Sequence, residues 1–246
     1  MMLLRVSPAR PEALARVYLC AHAGGSSAEF SGWDDPARSV EFVAVQLPGR
    51  GARFGEPSIA NVKEMAEEIA SAISDDLPYG FFGHSFGALL AYEVCRVIRA
   101  RGMRMPRWLG VSAFPPPDGI PAAPALHMLP GLELLHELSR RFDAIPREFL
   151  EDEELGNVVV EYVRADYEAL ETYVFVQLEP LALAIDVMAP VDDYQAPPLL
   201  GGWGRHTSGD CRVFEFTGGH FYLRSRGNRE RLCRIIATGL LDGGAA

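Results

Sequence analysis

The sequence has one lysine and a marked excess of acidic residues. Lys63 is the only lysine among 246 residues, and arginine supplies the remaining cationic side chains. The formal net charge is −10 and the pI is about 5.1. The chain therefore lacks the basic surface that nucleic-acid-binding domains present, and an anionic membrane surface would repel it. We expect neither a nucleic acid nor a membrane among its partners.

The sequence also lacks the closely spaced cysteines of zinc-binding and disulfide-rich proteins and the long apolar runs of membrane-spanning proteins. The cysteines at positions 20, 95, 211 and 233 form no C-x-x-C pair, so neither a zinc site nor a disulfide framework is expected. The N-terminal residues lack the pattern of a secretory signal. No stretch reaches the ~18–20 apolar residues that span a bilayer. We expect a soluble cytoplasmic protein with free thiols and no metal.

Short apolar runs bounded by turn residues alternate with helical patterns. Such two-sided apolar strands predict a parallel sheet covered on both faces, and the alternation favours a doubly wound α/β fold. The predicted strands are 17–21, 42–46, 80–83, 108–113, 181–188 and 212–216. The predicted helices between and after them are 61–74, 88–100 and 228–240. Hydrophobic residues make up 48% of the chain, enough for one domain over residues 1–246.

Residues 115–180 interrupt this alternation. The segment begins with three consecutive prolines and then shows helical patterns at 132–142, 147–150 and 157–174. One reading is an ordinary crossover between two strands. A crossover needs only one helix, however, so we favour a helical lid inserted into the domain.

The pentapeptide Gly83-His84-Ser85-Phe86-Gly87 follows a predicted strand and precedes a predicted helix. This is the G-x-S-x-G pattern in the strand–turn–helix setting of the nucleophile elbow of α/β-hydrolases. The turn raises the serine hydroxyl above the sheet edge at a helix N-terminus, where developing negative charge is favoured. Ser85 is therefore the predicted nucleophile. The alternative is a tight turn between two glycines in which the serine has no catalytic role.

The base and the acid are expected later in the chain, because the order in this fold is serine, acid, histidine. His220 follows the last predicted strand and two glycines, and we predict that it is the base. Asp192 and Asp193 both follow the strand before it, where a carboxylate can orient an imidazole. The residue pattern alone does not choose between them. Asp186, within the strand, fits less well.

An oxyanion hole needs two backbone N–H groups. One is expected from Phe86, directly after the nucleophile, and the other from a loop after an early strand. Residues 21–27 form such a loop, with glycines at positions 24 and 25, and Ala23 is the predicted donor. The alternative is a plain tight turn.

Together these motifs resemble the type II thioesterases, the stand-alone editing enzymes of polyketide and non-ribosomal peptide assembly lines. The matching segments lie in order along the chain: HAGGS at 22–26, LPGRG at 47–51, GFFGHSFG at 80–87, RADY at 164–167, ETY at 171–173, WGRHT at 203–207 and GGHFYL at 218–223. By this resemblance Ser85 and His220 match the nucleophile and base of the family. Asp192, eleven residues before Trp203 (203 − 192 = 11), matches its acid.

The resemblance also implies the substrate. It would be an acyl or aminoacyl thioester on the phosphopantetheine arm of an acyl or peptidyl carrier protein, hydrolysed through an acyl-enzyme intermediate on the serine. The enzyme would need no cofactor of its own, because the substrate carries the phosphopantetheine. Three alternatives remain open: a general carboxylesterase, an acyltransferase that uses the same serine, and a catalytically silent protein that docks a carrier.

Overall fold

The computed structural model describes residues 2–6, 10–120, 125–142, 145–193 and 201–242. In these residues a seven-stranded sheet has the order β1-β3-β2-β4-β5-β6-β7. Its strands are β1 (Met2–Arg5), β2 (Ala15–Cys20), β3 (Val40–Gln46), β4 (Tyr79–His84), β5 (Trp108–Ser112), β6 (Ala184–Pro190) and β7 (Cys211–Phe216). All neighbouring strands pair in parallel except β1, which pairs antiparallel with β3.

The α-helices follow four of the strands: β3, β4, β5 and β7. They are α1 (Val62–Ala72), α2 (Phe86–Ala100), α3 (Glu133–Phe142), α4 (Glu148–Glu151), α5 (Glu153–Glu171) and α6 (Arg226–Asp242). The side chain of Asn61 accepts a hydrogen bond from the N–H of Glu64 and so caps α1, as N-cap asparagines commonly do. In the ranges that the structure describes, no helix is both long and apolar enough to cross a lipid bilayer.

The core has two parts, one on each face of the sheet. Tyr18 and Phe81 belong to the part that contains α1 and α2, whereas Leu19 and Phe82 belong to the part that contains α6. Neighbours along a strand point to opposite faces, so both faces of the sheet are covered by helices. The predicted α/β-hydrolase fold, with a mostly parallel and doubly wound sheet, is confirmed.

Two strands differ from the sequence-based expectation. β1 was not predicted, because four residues near the N-terminus carry little periodic signal. β7 was predicted to be buried on both faces, and this is wrong, since only Phe216 of its six residues is buried. The reason is its position: β7 is an edge strand that pairs with β6 alone.

The segment between β5 and β6 contains α3, α4 and α5. These helices form an apolar cluster of their own, which includes Leu134, Leu138, Val159 and Val163. Helix α5 begins at Glu153, four residues before the predicted start, because the Asp152 side chain accepts from the N–H groups of Glu154 and Leu155 and caps it. The interpretation of residues 115–180 as a lid stays a prediction.

The parallel arrangement decides where the functional loops meet. β2, β4, β6 and β7 run in the same direction, so the segments that follow them emerge at one edge of the sheet. In open α/β sheets this carboxyl edge is where ligands bind. The loop 21–27, Ser85, the two aspartates and His220 all follow one of these strands.

Candidate active site

Ser85 occupies the sharp turn between β4 and α2. Its backbone has φ 55° and ψ −127°, a conformation that costs energy for a residue with a side chain. The surrounding structure holds it there: Ser85 N–H donates to Ser112 O over 2.8 Å, and Ser85 O accepts from Ala88 N–H over 2.8 Å. The predicted nucleophile elbow is therefore present in the structure.

The two glycines of the elbow are required by close backbone contacts. A Cβ atom at Gly83 would lie 2.0 Å from Gly87 O, and one at Gly87 would lie 2.2 Å from Cys20 O. Neither neighbour is a flexible side chain, so the backbone itself would have to move. These contacts bring α2 close to the end of β2 and hold Ser85 beside the loop 21–27.

We expect Gly87→Ala to destabilise the fold by about 3 kcal/mol or more, at the upper end of the usual cost of overpacking. The measurement is the free energy of unfolding from denaturant titration. Gly55→Ala is the matched control, because a Cβ there would meet nothing within 4 Å, and we expect a change of no more than about 0.5 kcal/mol. Equal stability of the two variants would contradict the steric explanation.

His220 lies in the segment after β7 and forms a hydrogen bond with a carboxylate that follows β6. Its Nδ1 lies 2.8 Å from Asp193 Oδ2, and the two side chains are only 9% and 1% exposed. Ser85, Ala23 and His220 are among the residues that line one small cavity of about 30 Å³. The structure thus brings the predicted nucleophile, base and loop donor to one place.

Asp192 has a different partner from the one expected. Its carboxylate accepts hydrogen bonds from Gly218 N–H and Gly219 N–H, each over 3.0 Å. These two N–H groups, that of Gly218 first, lower the pKa of Asp192. The expectation that Asp192 orients the imidazole is wrong in this structure, since the carboxylate that contacts His220 belongs to Asp193. Consecutive residues at the end of a strand point in different directions, and the turn sends Asp193 inward.

The two predicted oxyanion donors both lie next to Ser85. Phe86 is the first residue of α2, so its N–H has no partner within the helix. Ala23 lines the same cavity as Ser85. Within the described ranges, neither N–H donates to a backbone or side-chain acceptor. Both amides are therefore available to a negatively charged oxygen.

His84, the residue before the nucleophile, packs inside the domain. It is fully buried, and its Nδ1 lies 2.9 Å from Ser112 Oγ. Burial, and then the nearby charge of His220, hold the pKa of His84 well below its usual range. The centroid of the His84 ring lies 5.1 Å from that of His220, so the two imidazoles are neighbours.

A second set of contacts joins the His220 segment to the loop 21–27. Arg224 donates two hydrogen bonds of 3.0 Å to Glu29, and Glu29 lies 3.4 Å from His22 Nε2. Burial opposes ionisation of Glu29, yet the hydrogen bonds with His22 and Arg224 lower its pKa to about 2. No pattern in the sequence indicates this pairing, because Glu29 and Arg224 are 195 positions apart.

The other histidines lie outside this arrangement. His206 is buried, with its Nε2 2.9 Å from Asp118 Oδ1. His127 forms a hydrogen bond with Glu171 at the end of α5. His136 is exposed on α3. Each has a place in the structure away from Ser85.

A serine on this elbow, at the carboxyl edge of this sheet, defines the chain as an α/β-hydrolase. The family model described as "Thioesterase domain" matches residues 15–240, so the chain belongs to the thioesterase family. Thioesterase PikA5 of Streptomyces venezuelae is 35% identical over 242 residues, which cover 96% of this chain and 84% of that protein.

Solved structures give the same result. The RedJ thioesterase from the prodiginine biosynthetic pathway of Streptomyces coelicolor is 31% identical, with a TM-score of 0.82 over 94% of this chain and 93% of that one. The type II thioesterase BorB from the borrelidin biosynthetic cluster is 30% identical, with a TM-score of 0.83 over 97% and 95%. The resemblance to type II thioesterases is confirmed, as is the prediction of an enzyme that hydrolyses thioester bonds.

Proposed function

We propose that this thioesterase releases acyl or aminoacyl groups from the phosphopantetheine arms of carrier proteins in polyketide or non-ribosomal peptide biosynthesis. The observation that carries the proposal is the convergence of Ser85, His220 and Asp193 at the carboxyl edge of the sheet. The relatives named above support the choice of pathway. We further propose that the protein acts in the cytoplasm, a reducing compartment that suits its four free cysteines.

In the first step of the proposed mechanism, Ser85 Oγ attacks the thioester carbonyl carbon and His220 Nε2 takes the hydroxyl proton. The hydrogen bond between His220 Nδ1 and Asp193 fixes the orientation of the ring and stabilises the imidazolium cation. The carbonyl oxygen becomes an oxyanion, which the N–H groups of Phe86 and Ala23 stabilise. The carbon–sulfur bond then breaks, the pantetheine sulfur takes the proton from His220, and the carrier leaves as a free thiol.

In the second step, a water molecule attacks the acyl-enzyme ester. His220 takes a proton from the water, the same two amides stabilise the second oxyanion, and the Ser85 oxygen leaves with the proton. The products are a free carboxylic acid and the unloaded carrier. Helices α3 to α5 would act as the lid that shapes the acyl site above Ser85, since α5 supplies Tyr167 to the cavity.

Matched substrates test this proposal. We expect the protein to hydrolyse an acetyl or propionyl group from a loaded carrier protein with a kcat/KM at least about tenfold higher, equivalent to ~1.4 kcal/mol, than from free pantetheine thioester. We also expect the thioester to react faster than the oxygen ester of the same acyl group. The measurement is steady-state kinetics on the three substrates at one pH.

Other outcomes would identify the alternatives. Faster reaction of the oxygen ester would indicate a general carboxylesterase. Transfer of the acyl group to a thiol or amine in preference to water would indicate an acyltransferase. Binding of the loaded carrier with no release of acid, and no labelling of the protein by a fluorophosphonate, would indicate a silent docking protein. Each of these results would contradict the proposed hydrolysis.

A further inference from the structure

A buried ion pair joins helix α5 to the turn after β3. Arg50 Nη1 lies 2.5 Å from Asp166 Oδ2, and Arg50 Nη2 lies 2.6 Å from Asp166 Oδ1. The side chains are 3% and 0% exposed. Two parallel N–H···O bonds of this kind are stronger and more directional than a single contact. The partners are 116 residues apart, so the pair fixes α5 against the sheet domain.

The same two side chains also hold the loop 21–27. Asp166 Oδ2 accepts the N–H of Gly24 over 2.7 Å, and Arg50 Nη1 donates to Gly25 O over 3.1 Å. Gly24 directly follows Ala23, the proposed oxyanion donor. The Gly24 N–H and the Ala23 C=O belong to one planar peptide unit, so a hydrogen bond at Gly24 fixes that unit. The steric limits on φ and ψ of Ala23 then restrict where its own N–H can point.

Helix α5 also packs closely on this loop. A Cβ atom at Gly24 would lie 3.0 Å from Val163 Cγ2, and Gly24 has a φ of +76°, which favours glycine. The far end of the loop is held by Gln46, whose Oε1 accepts from Ser27 N–H and Oγ over 3.2 and 2.7 Å. Of these two anchors, Gln46 belongs to the sheet and Asp166 to α5.

We propose that Asp166, held in place by Arg50, is a positioning residue for the oxyanion hole, so that α5 completes the hole instead of only covering the substrate. The inference rests on the proposed reaction at Ser85. Oxyanion donors must lie within about 2.7–3.1 Å of the charged oxygen, so a small rotation of the loop weakens them. A buried ion pair is by itself weak evidence for a role in stability. This pair also forms hydrogen bonds with Gly24 and Gly25 of the loop, which favours a positioning role.

The test is Asp166→Asn, which preserves the size of the side chain but removes the charge that pairs with Arg50. Interactions made only in the transition state change kcat and leave KM unchanged. We therefore expect kcat for an acyl thioester to fall about tenfold or more, with KM within about twofold. Affinity for an acyl trifluoromethyl ketone, which forms a tetrahedral adduct on the serine, is expected to fall in parallel with kcat.

Glu41→Gln is the matched control. Glu41 is 3% exposed and accepts from Arg16 Nε over 2.6 Å, but it lies at the start of β3, far from the carboxyl edge. We expect this variant to lose stability in thermal denaturation while kcat stays within about twofold. A merely structural role of Asp166 would give the same behaviour in both variants.

The proposal is overturned if folded Asp166→Asn keeps kcat within about twofold of the wild-type value, or if Glu41→Gln lowers kcat equally. If Asp166→Asn does not fold, as judged by circular dichroism, Arg50→Lys decides by the same criterion, since lysine keeps the charge but cannot form both hydrogen bonds. Ser85→Ala is measured alongside. Full activity of that variant would refute the proposed reaction and the positioning role together, whereas its inactivity beside a fully active Asp166→Asn would refute the positioning role alone.

Discussion

Ser85→Ala is expected to lower kcat for acyl release from a loaded carrier by on the order of 10⁶-fold, the loss that follows removal of a nucleophile in other serine hydrolases. The reason is that no acyl-enzyme can form without Oγ, and water must attack the thioester directly. The measurement is single-turnover release of radiolabelled acid from the carrier. Some acceleration over the uncatalysed rate is expected to persist, because the amides of Ala23 and Phe86 are still present.

His220→Ala provides a second, stricter test of the same mechanism. Residues that act as one unit have strongly non-additive effects, so the double variant Ser85→Ala/His220→Ala is expected to be no slower than Ser85→Ala alone. His136→Ala is the control, because His136 is exposed on α3, and we expect it to keep wild-type kcat. A double variant much slower than either single variant would show that the two residues act independently, against the proposed proton transfer.

The parts of the site that depend on local sequence could be predicted. The strand before Ser85, the helix after it and the glycines on either side are adjacent in the chain, and the backbone contacts of Gly83 and Gly87 are the physical reason for that pattern. The location of His220 near Ser85 could also be predicted, because parallel strands place the residues that follow them at one edge of the sheet.

The choice between two neighbouring aspartates could not be made from the sequence. Both residues follow β6, and the direction of each side chain depends on the turn and on what lies opposite it. In the structure two backbone N–H groups bind Asp192, which leaves Asp193 for the imidazole. The resemblance to the family favours Asp192 through its spacing from Trp203, but residues 194–200, which separate the two, lie outside the described ranges.

Contacts between distant residues were also beyond the sequence. Arg50 and Asp166 lie in segments that resemble the family, yet nothing in one sequence indicates that they pair across 116 positions. The same holds for Glu29 and Arg224. Pairings of this kind depend on the packing of α5 and of the segment after β7, and packing is fixed only when the whole chain has folded.

Asp193→Asn is expected to lower kcat by about 10⁴-fold, the cost of the corresponding change in other serine hydrolases. An asparagine would keep the size of the side chain but would remove the negative charge that stabilises the imidazolium, and its amide group could stabilise the wrong tautomer of His220. The side chain of Asp193 is 1% exposed, so bulk water cannot replace the lost charge. The measurement is kcat for carrier-bound and free thioesters, with circular dichroism to check the fold.

Asp192→Asn is the matched variant one residue earlier. An asparagine oxygen can still accept from Gly218 N–H or Gly219 N–H, so the segment that carries His220 keeps part of its support. We expect kcat to fall no more than about tenfold, the effect of losing one charge-assisted hydrogen bond at an exposed site. The ratio of the two effects, about a thousandfold, is large enough to be measured without ambiguity.

The opposite order of effects would reassign the acid. If Asp192→Asn lost 10³-fold or more and Asp193→Asn lost little, Asp192 would be the residue that supports catalysis, and the hydrogen bond of 2.8 Å between His220 and Asp193 would not be the catalytic one. A comparable loss in both variants would show that the backbone contacts of Asp192 hold His220 as firmly as the carboxylate of Asp193 does. Only a much larger loss of kcat in Asp193→Asn than in Asp192→Asn agrees with a proton transfer in which Asp193 stabilises the charged imidazole.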